Sequence, residues 1–336
     1  MAAKITLSTI ADDLGVSTAT VSLALRNSPL VAETTRARIL QRSKEIGYVY
    51  DRRAASLRTQ RSDIVGVIVR DIINPFFAEI LRSIEAELAN NRQTFILCNH
   101  GDDIEVQEDF ISTLMQFGAD GVIMSPSVGT SAEDIAKVED NGLPVTLIAR
   151  TVEGTDVPAF LGNDEAGFHL ITQHLIENGH KDIALVGGTR LTSTGRARRA
   201  GFARAFEEAG LPLPEREDLE TPYDRKAGFA AVDKILAQGP APTAIACCSD
   251  TVALGVMHGL RRRGMEPGRD IAVTGYDDIE EGAISSPPLT TVDDGHDEMG
   301  HLAARTLFEK IQGKGTVTGG TLMAPKLRLR ESVTTL

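Results

Sequence analysis

The chain has 336 residues and a mass of 36.0 kDa, which allows two or three domains at about 100–200 residues each. Hydrophobic residues make up 42% and charged residues 24%, a composition that supports buried cores and excludes wholesale disorder. No apolar run reaches the ~18 residues of a membrane span, and the N-terminus lacks the apolar segment of a signal peptide. We therefore expect a cytoplasmic protein with no membrane association.

The net charge of −12 is distributed unevenly along the chain. Residues 1–61 hold 10 Lys and Arg against 5 Asp and Glu, whereas residues 62–336 hold 25 against 42. A basic N-terminal segment joined to an acidic remainder indicates a nucleic-acid-binding module attached to a second domain.

The first 50 residues predict three short helices. Residues 7–14 carry apolar side chains at helical spacing, and a tight turn at 15–17 leads into a second helix over 18–25. A third helix is predicted over 33–46, ended by Gly47. Two short helices joined by a glycine-containing turn are typical of a helix-turn-helix, although an ordinary pair of packed helices has the same pattern.

From Asp63 onward, apolar runs alternate with amphipathic helices. The runs are IVGVIV (64–69), TFILCN (94–99), GVIM (121–124), PVTLI (144–148), AFLGN (159–163), DIALVGG (182–188), AIACCS (244–249) and DIAVTGYD (270–277). Continuous apolar strands predict parallel sheets covered on both faces. The length of this segment favours two lobes, with a ligand bound at the carboxyl ends of the strands in a cleft between them.

The N-terminal segment TLSTIADDLGVSTATVSLALRNSPLVAETTRARILQRSKEIGYVYDRRAASLR resembles the headpiece of the LacI/GalR family of bacterial repressors. The similarity continues in the family's order through GVIVRDIINPFFAEI, HLIENGHKDIALVGG, SDTVALGVMHGL, TGYDD and SPPLTTVDD. Within the family, VSLAL and GVIVRDIINPFFAEI look most similar to the maltose-regulon repressors of the MalI type. The resemblance implies an α/β protein with a three-helix headpiece, a hinge helix and a two-lobed domain of the periplasmic-binding-protein type.

The resemblance also implies domain boundaries. The headpiece is expected over 1–50, the hinge helix over 51–61, and the effector-binding and dimerisation domain over 62–336. The N-lobe is expected over about 62–162 and 293–321 and the C-lobe over about 163–292 and 322–336, with chain crossings near residues 162, 292 and 321.

DNA contacts are implied for the second headpiece helix. Thr18, Ala19 and Leu23 match family positions that read base edges, and Ser22 is assigned either to base readout or to a phosphate. Phosphate contacts are expected from Arg26, Arg36, Arg52 and Arg53. Residues 51–61 alone fit either a solvated linker or a short helix.

The family's hinge becomes a helix on DNA and inserts a leucine, here Leu57 with Ala54 beside it, into the minor groove. Such an apolar wedge unstacks one base step and bends the duplex. Tyr50 and Asp51 stand where the family usually has Pro and Asn.

Eight residues are candidates for effector binding: Asn74, Phe76, Phe77, Asn163, Arg198, Tyr223, Ser249 and Asp277. The two phenylalanines offer a stacking face for a sugar ring or a base, with core packing as the alternative. Arg198 matches a family arginine that bonds ligand hydroxyls or a carboxylate, whereas Arg196 and Arg199 are expected at the surface. Asp277 matches the family's ligand carboxylate and suits a polyol, with helix capping as the alternative and Asp278 as the weaker candidate.

No catalytic or cofactor motif is present. His296 and His301 lie five residues apart, about 140° around a helix, so HDEMGH is not a HExxH zinc motif. GxGxxG, P-loop and GxSxG motifs do not occur. We therefore expect no cofactor, no metal and no enzymatic activity.

The sequence thus predicts a ligand-responsive repressor that binds double-stranded operator DNA as a homodimer, possibly a tetramer. The expected effector is a sugar such as an α-glucoside, with a purine or a sugar phosphate as alternatives. Two other classes were weighed: a solute receptor with no DNA role, and an enzyme acting on a sugar or nucleoside. The basic N-terminal segment disfavours the first, and the lack of a nucleophile–base pair disfavours the second.

Overall fold

The computed structural model describes residues 5–49, 61–314 and 318–336, and the chain divides into two compact units after Ser62. The first unit contains the headpiece helices α1 (Leu7–Leu14), α2 (Thr18–Leu25) and α3 (Glu33–Glu45). The second unit contains two lobes, each built around its own sheet. Every helix in the described ranges is too short or too polar to span a bilayer.

The headpiece helices form where the sequence predicts them. Gly15 separates α1 from α2 with φ 65°, a left-handed conformation that favours glycine. Ser17 caps α2, since its Oγ accepts a hydrogen bond from the backbone N–H of Thr20 at 3.0 Å. The three helices enclose a small apolar core whose buried members are Ile10, Ala11, Val21, Ala24, Val31 and Ile39.

The N-lobe contains a six-stranded sheet covered by four helices. Its strands are β1 (Ile64–Val69), β2 (Thr94–Asn99), β3 (Gly121–Met124), β4 (Val145–Ile148), β5 (Ala159–Gly162) and β10 (Gly320–Met323). They pair in parallel in the order β10-β5-β4-β3-β1-β2. The helices α4 (Pro75–Asn90), α5 (Ile104–Gln116), α6 (Ala132–Asp140) and α12 (His296–Ile311) bury apolar clusters on both faces.

One predicted strand, β2, is not buried on both faces of the sheet. Ile96 and Leu97 in β2 are 38% and 36% exposed, because β2 is the edge strand of the sheet. The prediction of strands buried on both faces therefore fails for β2.

The C-lobe contains a smaller parallel sheet of β6 (Ile183–Val186), β7 (Ala244–Cys247) and β8 (Ala272–Thr274), in that order. Strands β9 (Thr291–Asp293) and β11 (Lys326–Arg328) form a separate antiparallel pair. The helices of this lobe are α7 (Asp164–Glu177), α8 (Ser193–Glu208), α9 (Arg225–Ala237), α10 (Asp250–Arg262) and α11 (Glu280–Ile284). The alternating strand–helix order confirms the predicted α/β fold class.

The described chain passes between the lobes three times. The first crossing lies at Asn163, between β5 and α7, and the second at residues 294–295, between β9 and α12. Both are close to the predicted positions. The third lies at residues 324–325, because Leu322 and Met323 still pair with β5 in the N-lobe sheet. The predicted start of the C-lobe at residue 322 is therefore wrong.

Candidate functional site

The N-terminal turn of α2 presents small side chains to solvent. Thr18 and Ala19 are exposed, while Leu23 is only half-exposed because it also packs against the headpiece core. Arg26, at the end of the helix, is exposed and its Nε donates to the carbonyl of Ser22 at 3.2 Å. Thr18 and Ala19 are therefore the predicted base-reading residues that lie most openly on the headpiece surface.

Two predicted DNA-contact residues have other surroundings. Ser22 is 4% exposed, because α2 packs on both α1 and α3 and buries a wider arc than one helical face. Among the described residues its hydroxyl has no hydrogen-bond partner. Arg36 donates from Nη2 to the carbonyls of Ser28 and Val31, at 2.8 and 2.9 Å, and from Nη1 to Glu33. The Nη atoms of Arg36 therefore hold the loop before α3, and its phosphate contact stays a prediction.

The remaining DNA predictions lie outside the described residues. They are Arg52, Arg53, Ala54 and Leu57, together with most of the expected hinge helix at 51–61.

A cavity lies between the two lobes, at the carboxyl ends of strands from both sheets. Its lining comprises Arg70, Asn74, Phe76, Phe77, Ala149, Arg150, Gly162, Asp164, Thr194, Arg198, Tyr223, Asp277 and Asp294. Its volume is about 40 Å³, room for only a few water molecules. A larger hollow of about 550 Å³ beside Glu139 and Lys310 lacks a comparable convergence of buried charges.

Six of the eight predicted effector residues line this cavity, and two do not. Asn163 is the N-cap of α7, where its Oδ1 accepts from the backbone N–H of Ala166 at 3.2 Å. Ser249 is the N-cap of α10, where its Oγ accepts from the backbone N–H of Val252 at 3.3 Å. Both side chains are therefore engaged in helix capping.

Arg198 is the centre of a buried charged network. Its Nε donates to Asp164 Oδ1 at 2.7 Å, its Nη2 lies 3.7 Å from Asp277 Oδ1, and its Nη1 donates to the carbonyl of Cys248. Its guanidinium carbon lies 4.0 Å from the centroid of the Tyr276 ring. Burial raises the pKa of Asp164 to about 6, although Arg198 opposes the shift.

Asp277 occupies an unusual backbone conformation after β8. The residue is 3% exposed and its φ is 114°, a region that residues with a side chain rarely adopt at a cost of about 1–3 kcal/mol. Burial raises the pKa of its carboxyl group well above the ordinary range, against the opposing effect of Arg198. The carboxyl group of Asp277 thus lies at the cavity wall with part of its hydrogen-bonding capacity unused.

Asp250 supports the loop that carries Asp277. Its carboxylate accepts hydrogen bonds from the backbone N–H of Ile279 at 2.9 Å and from Thr291 Oγ1 at 2.6 Å. Ile279 is the N-cap residue of α11, a helix without a side-chain cap, and Asp250 holds the backbone at its start. Asp277 does not supply the helix cap that was its alternative role, and Asp278 is bound by Arg330 at 2.5 Å.

The N-lobe contributes aromatic rings to the cavity. Phe76 and Phe77 contact each other edge to face, with ring centroids 5.0 Å apart, and both belong to the apolar core of the lobe. The side chain of Asn74 caps α4 by accepting from the backbone N–H of Phe76 at 3.2 Å. The two phenylalanines therefore serve in core packing and in the cavity wall at once.

Two arginines of the N-lobe wall were not predicted. Arg150 forms a bidentate ion pair with Asp102 and donates to the carbonyl of Pro126 at 3.1 Å. The Cζ of Arg70 lies 5.5 Å from the centroid of Tyr223 in the opposite lobe. Arg70 is the first residue after β1 and Arg150 the second after β4, so the rule that ligands bind at strand carboxyl ends was a signal for both.

Asp294 and His296 form a further charged group beside the cavity. His296 Nδ1 lies 3.1 Å from Asp294 Oδ1, and its Nε2 lies 2.8 Å from Glu79 Oε2. Burial lowers the pKa of His296, but the two carboxylates more than offset this and raise it to about 10. Ligand atoms of Asp293, Asp294 and His296 lie within 4.8 Å of one another, and Arg328 Nη2 donates to Asp293 at 2.8 Å.

One correction concerns the arginines of α8. Arg199, expected at the surface, is 8% exposed and forms a bidentate pair with Asp218, at 2.6 and 2.8 Å. Its Nη2 also donates to the carbonyl of Gly187 at 3.0 Å. Arg199 therefore fastens α8 to the C-lobe, while Arg196 is exposed as expected.

Two family models match the chain. The model for "Bacterial regulatory proteins, lacI family" matches residues 6–51, which contain the helix-turn-helix. The model for "Periplasmic binding proteins and sugar binding domain of LacI family" matches residues 62–328, which contain both lobes and the cavity. The chain belongs to the LacI family.

Individual relatives agree with this LacI-family assignment. The "HTH-type transcriptional repressor PurR" of Vibrio parahaemolyticus is 33% identical over 98% of both chains. A crystal structure of the Lac repressor dimer bound to operator and the anti-inducer ONPF superposes with a TM-score of 0.85, at 25% identity over 98% of this chain and 99% of that one. A complex of the transcriptional regulator CelR with cellobiose gives a TM-score of 0.73, at 28% identity over 98% and 99%. This LacI-family chain is a ligand-responsive, DNA-binding transcriptional repressor.

Proposed function

We propose that α2 binds the major groove of a pseudo-palindromic operator, with Thr18 and Ala19 at base edges and Leu23 in apolar contact. The open position of Thr18 and Ala19 on the headpiece supports this role. Arg26, Arg52 and Arg53 bind phosphates, and Leu57 with Ala54 acts as the minor-groove wedge. One helix contacts only a few base pairs, so the protein acts as a homodimer or a tetramer of such dimers on two half-sites.

The effector binds in the cavity between the lobes and is a sugar. The observation that carries this proposal is the convergence of Arg198, Asp277 and Tyr223 from one lobe with Phe76 and Phe77 from the other. Carboxylate and guanidinium groups hydrogen-bond hydroxyls, and aromatic rings stack on the apolar face of a sugar. The cellobiose complex of the CelR relative shows that sugar binding occurs on this fold.

Operator affinity changes because the effector has different affinities for two arrangements of the lobes. The cavity of about 40 Å³ is too small for a sugar ring, so binding requires displacement of wall residues or a change of the lobe angle. Such a change alters the spacing of paired hinge segments and shifts the population between DNA-competent and DNA-incompetent states.

The protein acts in the cytoplasm and has no enzymatic activity of its own. The cavity's buried acid–base partners, Asp164 and Arg198, are bound to each other, which leaves no activated nucleophile there. The likeness of VSLAL and of the Asn74–Phe77 segment to MalI-type repressors favours an α-glucoside among the sugars.

The experiment that tests this function is an operator-release titration of Asp277→Asn beside Asp278→Asn. The operator is obtained by selection from random duplexes, and the effector by a thermal-shift screen of sugars. Asp277→Asn should bind operator normally and respond to effector about tenfold to a hundredfold more weakly, because an amide N–H₂ donor replaces one carboxyl oxygen. Asp278→Asn should respond like the wild type, since Asp278 faces Arg330. Equal responses of both variants would remove Asp277 from the site.

A further inference from the structure

Three arginines line the cavity, and two of them make close hydrogen bonds to protein oxygens. Arg198 is bound by Asp164 and by the carbonyl of Cys248, and Arg150 is bound by Asp102 and the carbonyl of Pro126. The shortest ion-pair contact of Arg70 among the described residues is 3.4 Å, whereas that of Arg198 is 2.7 Å.

Arg70 is part-buried yet weakly paired. Its side chain is 12% exposed, and its Nη2 lies 3.4 Å from Asp71 Oδ2, at the outer limit of a hydrogen bond. Within the described residues, no other ion pair of this guanidinium occurs. A charged group withdrawn from water without a close partner favours a ligand that supplies one.

Tyr223 holds Arg70 at the cavity wall. The Cζ of Arg70 lies 5.5 Å from the ring centroid, and the Cζ of Arg198 lies 5.8 Å from the same centroid. A guanidinium over an aromatic ring is attracted through its face, which leaves its in-plane N–H groups able to bind a carboxylate or phosphate.

The acidic side chains that line the cavity also differ in how closely they are paired with a cation. Asp164 is bound to Arg198 at 2.7 Å and Asp294 contacts His296 at 3.1 Å. Among the described residues, the cation paired with Asp277 is Arg198, whose Nη2 lies 3.7 Å from its Oδ1, longer than a hydrogen bond. The cavity thus offers one available cationic group from the N-lobe, Arg70, and one available acidic group from the C-lobe, Asp277.

We propose that the effector is a polyhydroxylated anion whose anionic group binds Arg70 and whose hydroxyls bind Asp277. This inference rests on the proposed function and narrows the sugar to one that carries a carboxylate or a phosphate. A neutral sugar closed into the cavity leaves the donors of Arg70 unsatisfied, whereas an anionic group accepts them in a bidentate geometry. Because Arg70 and Asp277 lie in different lobes, the anion joins the lobes through charge and hydroxyl contacts together.

The test compares each anion with its neutral parent on the full-length protein. Calorimetry is run with glucose and glucuronate, galactose and galacturonate, and glucose 6-phosphate as the phosphate arm. At least one anion should bind at least tenfold more tightly than its neutral parent, and the carboxylate and phosphate arms identify which group Arg70 accepts. A panel in which no anion binds better than its parent overturns the inference.

Variants assign the preference to Arg70. Arg70→Gln should lose about tenfold to a hundredfold in affinity for the preferred anion, and Arg70→Lys should lose less because it keeps the charge. Arg196→Gln is the matched control, since Arg196 is exposed on α8 and does not line the cavity. Unchanged affinity in Arg70→Gln, or equal losses in Arg70→Gln and Arg196→Gln, overturns the assignment.

Operator retardation on the same samples separates this inference from the proposed function. Retained operator binding by both Arg70 variants shows that they are folded. Suppose that a neutral sugar releases operator, that Asp277→Asn abolishes this effect and that Arg70→Gln leaves it unchanged. This result would overturn the inference that the effector is an anion, and the proposed function would still hold. A protein that selects no operator contradicts the proposed function itself.

Discussion

The headpiece and the effector-binding unit use polar residues in opposite ways. On the headpiece, Thr18, Ala19 and Arg26 lie exposed, and the segment up to residue 61 has a net positive charge. In the effector unit, Arg198 and Asp277 are at most 5% exposed and approach each other inside a cavity. Charges on a surface that meets a large polyanion stay hydrated, whereas charges buried in a cavity such as Arg198 and Asp164 depend on each other for stabilisation. Substitutions of the exposed residues Thr18, Ala19 and Arg26 should therefore affect binding alone, whereas those of Arg198 should affect stability as well.

Removal of the headpiece should have the largest effect. The fragment 62–336 should stay folded and lose operator binding completely, because it retains 25 basic against 42 acidic residues. The intact protein should lose affinity steeply with added salt, since each neutralised phosphate releases counterions. Gel retardation and circular dichroism measure both outcomes, and a fragment that still retards operator would show that the DNA-binding surface lies elsewhere.

Replacement of the buried guanidinium of Arg198 should have the next largest effect, on the stability of the effector unit. Arg198→Met leaves Asp164 and Asp277 buried without their partner and should lower the free energy of unfolding by about 3–5 kcal/mol. Arg196→Met, two residues earlier on the same helix, should change it by less than about 0.5 kcal/mol because Arg196 is exposed. Urea denaturation of the two variants makes the comparison, and similar midpoints would contradict the buried network.

Asp250 should give the effector unit a pH dependence. Burial raises its pKa to about 7, above the ordinary 3.8, despite hydrogen bonds from Thr291 and Ile279. The folded protein therefore binds this proton more tightly than the unfolded chain, so the contribution to stability is fully present below pH 3.8 and is lost as the pH rises towards 7.

Asp250→Asn should reduce the loss of folding stability that accompanies rising pH. Between pH 4 and 7 the wild type should lose on the order of 2–4 kcal/mol more stability than the variant, which has no proton to release at this position. Denaturation of both proteins at a series of pH values gives the two slopes. Parallel slopes would show that Asp250 keeps an ordinary pKa.

The smallest effect concerns the headpiece alone. Ser17→Ala removes the hydroxyl that accepts from Thr20 at the start of α2 and should cost about 1 kcal/mol of headpiece stability. Ala32→Ser supplies a hydroxyl at the N-cap of α3, where no side chain caps the helix, and should restore a similar amount. Thermal unfolding of the isolated and combined variants tests both, and a stabilising Ser17→Ala would contradict the assigned cap.

Local patterns predict most of the fold. Eight apolar runs in the sequence correspond to β1 through β8, because continuous hydrophobic segments of this length have few other ways to be buried. The helix ends at Ser17 and Gly47 can be predicted from the residues immediately around them. The short strands β9, β10 and β11 were not predicted as strands, since three or four residues carry too weak a pattern.

The cavity was predicted less completely than the fold. Arg198 and Asp277 follow from family resemblance, but the engagement of Arg150 depends on Asp102, 48 residues earlier in the chain. Burial of Arg199 likewise depends on Asp218, in a loop outside its own helix. Asn163 and Ser249 match pocket positions by sequence, yet their place at helix starts directs their side chains to the backbone.

The small size of the cavity has a consequence for the dose at which the regulated genes respond. A metabolite that needs more than about 40 Å³ must bind a rarer, wider form of the protein, so its apparent affinity falls in proportion to the scarcity of that form. We expect substitutions in the three crossing segments, at Asn163, residues 294–295 and residues 324–325, to change the population of that form. The threshold of the genetic response is therefore adjustable at sites that hold neither the metabolite nor the DNA.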